Sequence, residues 1–201
     1  MLREKADGTS LWVGIACHKL LHVASKDAVK TLERLPKDLD SLYNRLLASV
    51  KDHNLDEYNV VTRILSYVAV ALRPLRILEL AEICQLYKNY DEEVRHSFTL
   101  DSVNMCRLLV IVQDNTVSLL HKSLKDFLLR GNGRIVDEKV AHAFFAYRCL
   151  DHVMDAFSSF NIYRYSKDGD SFVFYSAQYW PNHAFLSRLE FQVLDRHSRL
   201  F

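Results

Sequence analysis

His121 stands between two apolar, strand-like residues, Leu119 and Leu120, and the amphipathic run Ser123-Leu124-Lys125-Asp126-Phe127-Leu128-Leu129. An imidazole at such a junction can donate to an anion, and the bond is charge-assisted when the ring is protonated. The plainer alternative is a strand-end histidine bonded to a nearby carbonyl. Ser123 follows two residues on, but side chains two apart at a strand-to-helix junction can either meet or diverge, so spacing alone makes no dyad. His18 and His22 lie i, i+4 on one helix with Cys17 beside them, but Lys19 follows His18, so HExxH is not formed and no third ligand is evident. Cys149 with His152 is no better placed. The chain has neither a GxSxG elbow nor a GxxxxGK[ST] loop, nor an acidic strand end for Mg²⁺. The expectation is therefore a protein that is not an enzyme, with no catalytic residues, no metal and no phosphate cradle of its own.

The elements that must position His121 are mostly helices. Gly and Pro number only five and three in 201 residues, which leaves little material for long loops. Leu11, Trp12, Ile15, Ala16, Leu20 and Leu21 mark a buried helix with Ser10 as its cap. Pro36 is placed as the first residue of a second helix, whose apolar stripe is Leu39, Leu42, Tyr43, Leu46, Leu47 and Val50. A third helix carries Val61, Ile64, Leu65, Val68, Ala71 and Leu72 and should stop at Arg73, before Pro74. Pro74 is read as opening another over residues 75–86, followed by one over roughly 100–109. Val110-Ile111-Val112, Asp114-Asn115 and Thr116-Val117-Ser118-Leu119 then read as a hairpin, because the flanks are β-branched and the turn residues tolerate positive φ. Three helices followed by a hairpin is the winged-helix order.

After it, Ser123 and Asp126 form a weak capping box, and Gly131-Asn132-Gly133 ends the helix. Val140, Phe144, Phe145, Tyr147, Cys149 and Val153 define a further helix. Residues 158–171 read as a connector, and residues 172–189 as a last helix bent or interrupted at Pro181. The domain reading is a helical unit over 1–54, a winged helix over 55–130 and a C-terminal helical unit over 131–201. The fold class is mainly α with a small hairpin wing. The abrupt end at Phe201 suits a truncated chain, or one whose downstream repeats were lost.

Composition narrows the function classes. Lys plus Arg (26) nearly cancels Asp plus Glu (25), so no global field draws the chain to nucleic acid or anionic membrane. Cys17, Cys84, Cys106 and Cys149 form no CxxC pair and read as reduced thiols of an intracellular protein. The longest unbroken apolar stretch, residues 67–72, is too short to span a bilayer, and Glu4 and Asp7 spoil a secretion signal. A cytoplasmic chain is expected. Winged helices invite a DNA-binding alternative, but the third helix offers only Asn104 and Arg107 with Asp101 opposing, and its wing carries an acid. A stand-alone interaction module is another alternative, with Tyr179, Trp180, His183 and Phe185 as an exposed aromatic patch or, more blandly, as the core face of a helix.

In their order, several motifs resemble the arm of fungal NACHT-type NTPases, the NLR-like STAND proteins of vegetative incompatibility. They are Ser10-Leu11-Trp12-Val13 with Cys17 and Leu20, Leu35-Pro36 with Leu39, Leu42 and Tyr43, and Arg73-Pro74-Leu75 with Glu79-Leu80-Ala81. They continue through His121-Lys122-Ser123 with Asp126-Phe127-Leu128, Cys149-Leu150 and Tyr179-Trp180-Pro181-Asn182-His183. The central part also resembles the winged helix named for GPI inositol-deacylase. The resemblance implies a regulatory, scaffolding arm between a nucleotide-binding domain, in cis or in trans, and C-terminal ankyrin, TPR or WD repeats. It implies that ADP or ATP is held only by the complete architecture, with His121 donating to the β-phosphate. The family's arm also has a proline against the adenine just after a glycine. Here Gly8 is followed by Thr9-Ser10, so no adenine contact is expected from this unit.

Overall fold

The structure, a computed structural model, describes residues 10–21, 24–52, 54–130, 135–158, 172–188 and 191–192. It is mainly helical with one small antiparallel sheet. Helix α1 (Ser10–Leu21) buries Trp12 completely, and the indole N–H reaches the carbonyl of Pro36 at 2.8 Å. Helix α2 (Ser25–Arg34) follows, an element the apolar spacing did not announce because its sequence SKDAVKTLER is largely polar. Helix α3 (Leu39–Lys51) points Leu42, Tyr43, Leu46, Leu47 and Val50 inward.

Pro36 is not the first residue of α3, as its type suggested. It lies in the connector, and Asp38 caps the helix by accepting from the Ser41 N–H at 2.7 Å. An Asx side chain at that position satisfies one of the helix's orphan donors, which proline cannot do.

Helix α4 (Leu55–Val70) is capped by Asn54 and ends ahead of Pro74, as expected. The next segment corrects the reading of Pro74 as a helix opener. Leu75–Arg76 form strand β1, and helix α5 (Ile77–Cys84) starts only after them. The reason is tertiary: β1 finds a partner in the hairpin, with Leu75 opposite Val117 and Arg76 opposite Thr116. Glu79 supplies the helix start by accepting from the Arg76 N–H at 2.9 Å. Helix α5 ends on Gln85, which adopts the left-handed conformation (φ 55°).

Helix α6 (Glu92–Met105) begins well before residue 100, capped by Asp91, and its first half is too polar to show an apolar stripe. A 3₁₀ turn, Arg107–Leu109, leads into the hairpin of β2 (Val110–Gln113) and β3 (Thr116–Leu119). Asp114 (φ 48°) and Asn115 (φ 61°) make the tight two-residue turn their types suit. The sheet order is β1-β3-β2, so β3 is central and Val117 is fully buried, while Ile111 and Val112 on the edge strand β2 are exposed.

Helix α7 (Lys122–Arg130) follows β3, and Gly131-Asn132-Gly133 lies outside the described residues. Helices α8 (Glu138–Ser158) and α9 (Phe172–Ser187) form a closely packed pair. The connector over 158–171 lies almost wholly outside the described residues. Helix α9 runs continuously through Pro181 rather than breaking there, and ends at Arg188 with φ 57°. Buried residues from Trp12 to Tyr175 form one cluster, which ties all these layers together. Among the described residues no helix is long and apolar enough to cross a membrane.

Candidate functional site: an exposed histidine at a cationic cleft

His121 is exposed and sits immediately before α7. Its ring, not Ser123, serves as the cap: Nδ1 accepts from the Ser123 N–H at 3.1 Å. The expected Ser123–Asp126 capping box is therefore replaced, and Asp126 turns instead to Arg130 one turn on, at 3.5 Å. The side chains of His121 and Ser123 do meet, with Nδ1 and Oγ 2.9 Å apart. They meet because the capping turn folds residue i+2 back over residue i. Ser123 Oγ is also 2.9 Å from the hydroxyl of Tyr43, eighty positions earlier on α3. Tyr43 is fully buried, its ring 5.3 Å from that of Phe127 on α7. Burial raises the Tyr43 hydroxyl above its ordinary pKa, while the bond to Ser123 pulls the other way.

A cleft of about 300 Å³ opens beside this histidine, at the small end of ligand pockets. It lies between the chain that follows α4, strand β3 and the first turn of α7. His121, Lys122 and Lys125 line it with Arg73, and the N-terminal end of α7 adds its partial positive charge. Arg73 is tied down: it grips buried Glu79 with two bonds of 2.7 and 2.6 Å, and its guanidinium lies 4.8 Å from the Tyr175 ring centre. Glu79 is only 1% exposed, so this pair is a fixed wall of the cleft.

A second histidine site lies on α8 and α9. The Leu72 N–H donates to the Tyr175 hydroxyl at 3.1 Å, and that hydroxyl lies 2.9 Å from His183 Nε2. His183 Nδ1 is 2.8 Å from His142 Nδ1, and the His183 ring stacks on Phe145 at 4.1 Å. Burial holds both imidazoles well below their ordinary value, His142 at about 4 and His183 at about 3. Nearby Lys125 lowers His142 further and Glu138 opposes it, whereas His183 is lowered additionally by His142. A third histidine, His152, joins Arg95 in holding Glu82. Burial alone would raise that carboxyl, but hydrogen bonds from the two partners outweigh it and hold it at about 2.

The remaining sequence candidates fare differently. His22 and the side chain of His18 lie outside the described residues. Cys84, Cys106 and Cys149 are buried free thiols, with burial pushing Cys106 and Cys149 up to about 12, and Cys17 is exposed. Among the described residues no three His, Cys, Asp or Glu side chains gather as a metal site. The aromatic patch divides: Tyr179 and Trp180 pack against the core and His183 is buried, while Phe185 is 83% exposed. Phe185 borders a cavity of about 620 Å³ with Glu138, Lys139 and His142. Tyr43 and Tyr175 are the hydroxyl partners of these two histidine clusters that periodicity concealed. Each reads as one more core aromatic, and the signal available was only that a buried tyrosine hydroxyl needs a partner.

Comparison with known proteins adds a kinship. Over 130 residues, 64% of this chain, the sequence is 32% identical to the vegetative incompatibility protein HET-E-1 of Podospora anserina, of which the match covers 9%. It is also 26% identical over 177 residues to azaphilone pigments biosynthesis cluster protein L of Monascus ruber, covering 78% of this chain and 37% of that protein. The chain thus spans well under half the length of either curated relative. No family model matches, and no solved structure does.

Proposed function

We propose that this chain is the non-catalytic regulatory arm of a NACHT-type fungal signalling NTPase, of the kind used in self/non-self recognition. In this reading residues 55–130 are a winged helix, held between helical units at 1–54 and 131–201. The order helix, strand, helix, helix, hairpin, with the short first strand added to the hairpin, supports it, as does the similarity to HET-E-1. The nucleotide, ADP or ATP, belongs to a separate nucleotide-binding domain, and His121 reads its β-phosphate. The single observation that carries this role is an exposed imidazole placed with Lys122, Lys125 and Arg73 around one cleft. A phosphate oxygen there gains a charge-assisted hydrogen bond and loses it on exchange or departure, which biases the position of the arm.

Binding to DNA through α6 is the weaker reading. The exposed side of that helix carries Glu92, Glu93 and Asp101, which repel phosphate, and Asn115 in the wing is engaged by His96 at 2.7 Å. Calorimetry with ADP and with ATP tests the proposal, on the chain alone and after addition of a nucleotide-binding domain from a HET-E-1-like protein. The expected result is no binding by the chain alone and tighter ADP binding by the pair than by the nucleotide-binding domain alone, the gain abolished by His121→Ala. Equal ADP retention with and without the imidazole would rule the sensor role out.

A further inference from the structure

We propose that Ser123 and Tyr43 are positioning residues that lock His121 into the tautomer with its proton on Nε2. The lock makes this histidine a donor toward the cleft and ties that property to helix α3. Its bearing on nucleotide state rests on the sensor reading above, whereas the lock itself does not.

The assignment follows from counting protons. A backbone N–H can only donate, so the Ser123 N–H pointing at Nδ1 from 3.1 Å requires a bare lone pair on that nitrogen. With no proton on Nδ1, the 2.9 Å contact to Ser123 Oγ must be made by the serine hydroxyl donating. Serine has one hydroxyl proton. Having given it to the imidazole, Oγ can only accept at its other contact, so the Tyr43 hydroxyl donates across 2.9 Å. A proton on Nδ1 would instead face the Ser123 N–H head-on. The backbone bond from the Leu124 N–H to the His121 carbonyl, 3.1 Å, fixes the same turn.

Two consequences follow for the site. The ring's proton is on Nε2, and the charged side chains that share the cleft, Lys122, Lys125 and Arg73, are donors without acceptor capacity. The chemistry favoured is that of an anionic oxygen, the kind phosphate presents. Secondly, the relay begins on a tyrosine that is fully buried on α3 and packed on Phe127. A slide of α3 against α7 by more than a hydrogen bond's tolerance would release the Ser123 hydroxyl and weaken the ring's preference for that tautomer. The N-terminal helical unit thereby has a direct hold on the histidine.

Histidine-selective ¹⁵N labelling of the full chain, without nucleotide, tests the lock. His121 is assigned by the signal lost in His121→Gln, and its tautomer is read from long-range ¹H–¹⁵N couplings. The wild type is expected to show Nε2–H alone. Tyr43→Phe keeps the buried ring but removes the donor, and should weaken the preference by about two- to tenfold, the contribution of one hydrogen bond. Ser123→Ala keeps the backbone N–H but loses the hydroxyl donor, so it should weaken the Nε2–H preference by about two- to tenfold, and Ser123→Thr should restore it. Should Tyr43→Phe not fold, the half-buried Ser123 pair carries the test. A wild-type ring protonated on Nδ1, or a tautomer unmoved by Ser123→Ala, overturns the proposal. A locked tautomer with no His121-dependent ADP retention would leave the lock standing and defeat the sensor reading. A mixed tautomer with such retention would do the reverse.

Discussion

Two histidine sites in this molecule share one ingredient and come to opposite ends. At the first, the hydroxyl of Tyr43 works through Ser123 on His121, and the ring is left exposed. At the second, the hydroxyl of Tyr175 meets His183, which meets His142, and both rings are buried. Along the second series the simplest assignment gives each contact one donor: Leu72 N–H to tyrosine, tyrosine to His183 Nε2, His183 Nδ1–H to His142 Nδ1. The desolvated pair is held neutral and serves to fasten α9 to α8 and to the end of α4. The exposed ring is oriented just as firmly but keeps one nitrogen for something else. Hydrogen bonding orients a histidine in either setting, and burial decides whether its remaining nitrogen is spent in the core or left facing solvent.

The difference can be broken most forcefully at the buried end. His183→Ala removes a stacked ring and two hydrogen bonds, leaving Tyr175 and His142 short of partners. We expect a loss of about 3–5 kcal/mol, read by urea unfolding. A loss below about 1 kcal/mol would mean the pair is not a fastening.

Acid should act on the same end. The folded-state values of His142 (about 4) and His183 (about 3) lie below the ordinary 6.5, so the unfolded chain binds more protons in that interval. Stability from the pair is therefore fully present above about pH 6.5 and declines as pH falls toward 4, by on the order of 1–2 kcal/mol per histidine at pH 5. Unfolding curves at pH 7.5 and pH 5 should show this decline, and His142→Phe with its partner His183→Phe should flatten it. Below pH 4.5 the depressed carboxyl of Glu82 adds a further loss of the same sign.

The exposed end should respond more weakly in stability. Tyr43→Phe leaves the packing on Phe127 intact and deletes one hydrogen bond, so about 1 kcal/mol is expected by thermal or urea unfolding. His121→Gln is the mildest, a few tenths to about 1 kcal/mol from the altered helix cap. A cost at His121 as large as that at His183 would erase the contrast between the two sites.

Much of the architecture was legible in the residues, and the failures share a cause. The hairpin could be read because Asp114-Asn115 sits between β-branched runs, and α3 because its stripe recurs at helical spacing. Helix α2 and the first half of α6 were missed because polar helices leave no apolar period. Pro36 and Pro74 both suit a helix start, since proline fits that position locally. In each case a distant partner decided otherwise: the Trp12 indole takes the Pro36 carbonyl, and β3 takes Leu75–Arg76 as a strand. His121 is marked in the sequence by its junction together with the family resemblance, whereas its bond to Ser123 is not legible there, because spacing along the chain does not show how a capping turn folds back.

Local chemistry in the sequence therefore determined the helical character, the hairpin, the scarcity of charge bias and the histidine at the hairpin's end, because propensity, turn residues and periodicity act over a few positions. Tertiary structure alone decided which histidine would be spent in the core and which kept at a surface. That choice depends on residues such as Tyr43 and Ser123, or Tyr175 and Leu72, separated by 80 and 103 positions. Only folding brings their single hydrogen-bonding atoms to within 3.1 Å, and only burial removes the water that would otherwise satisfy them.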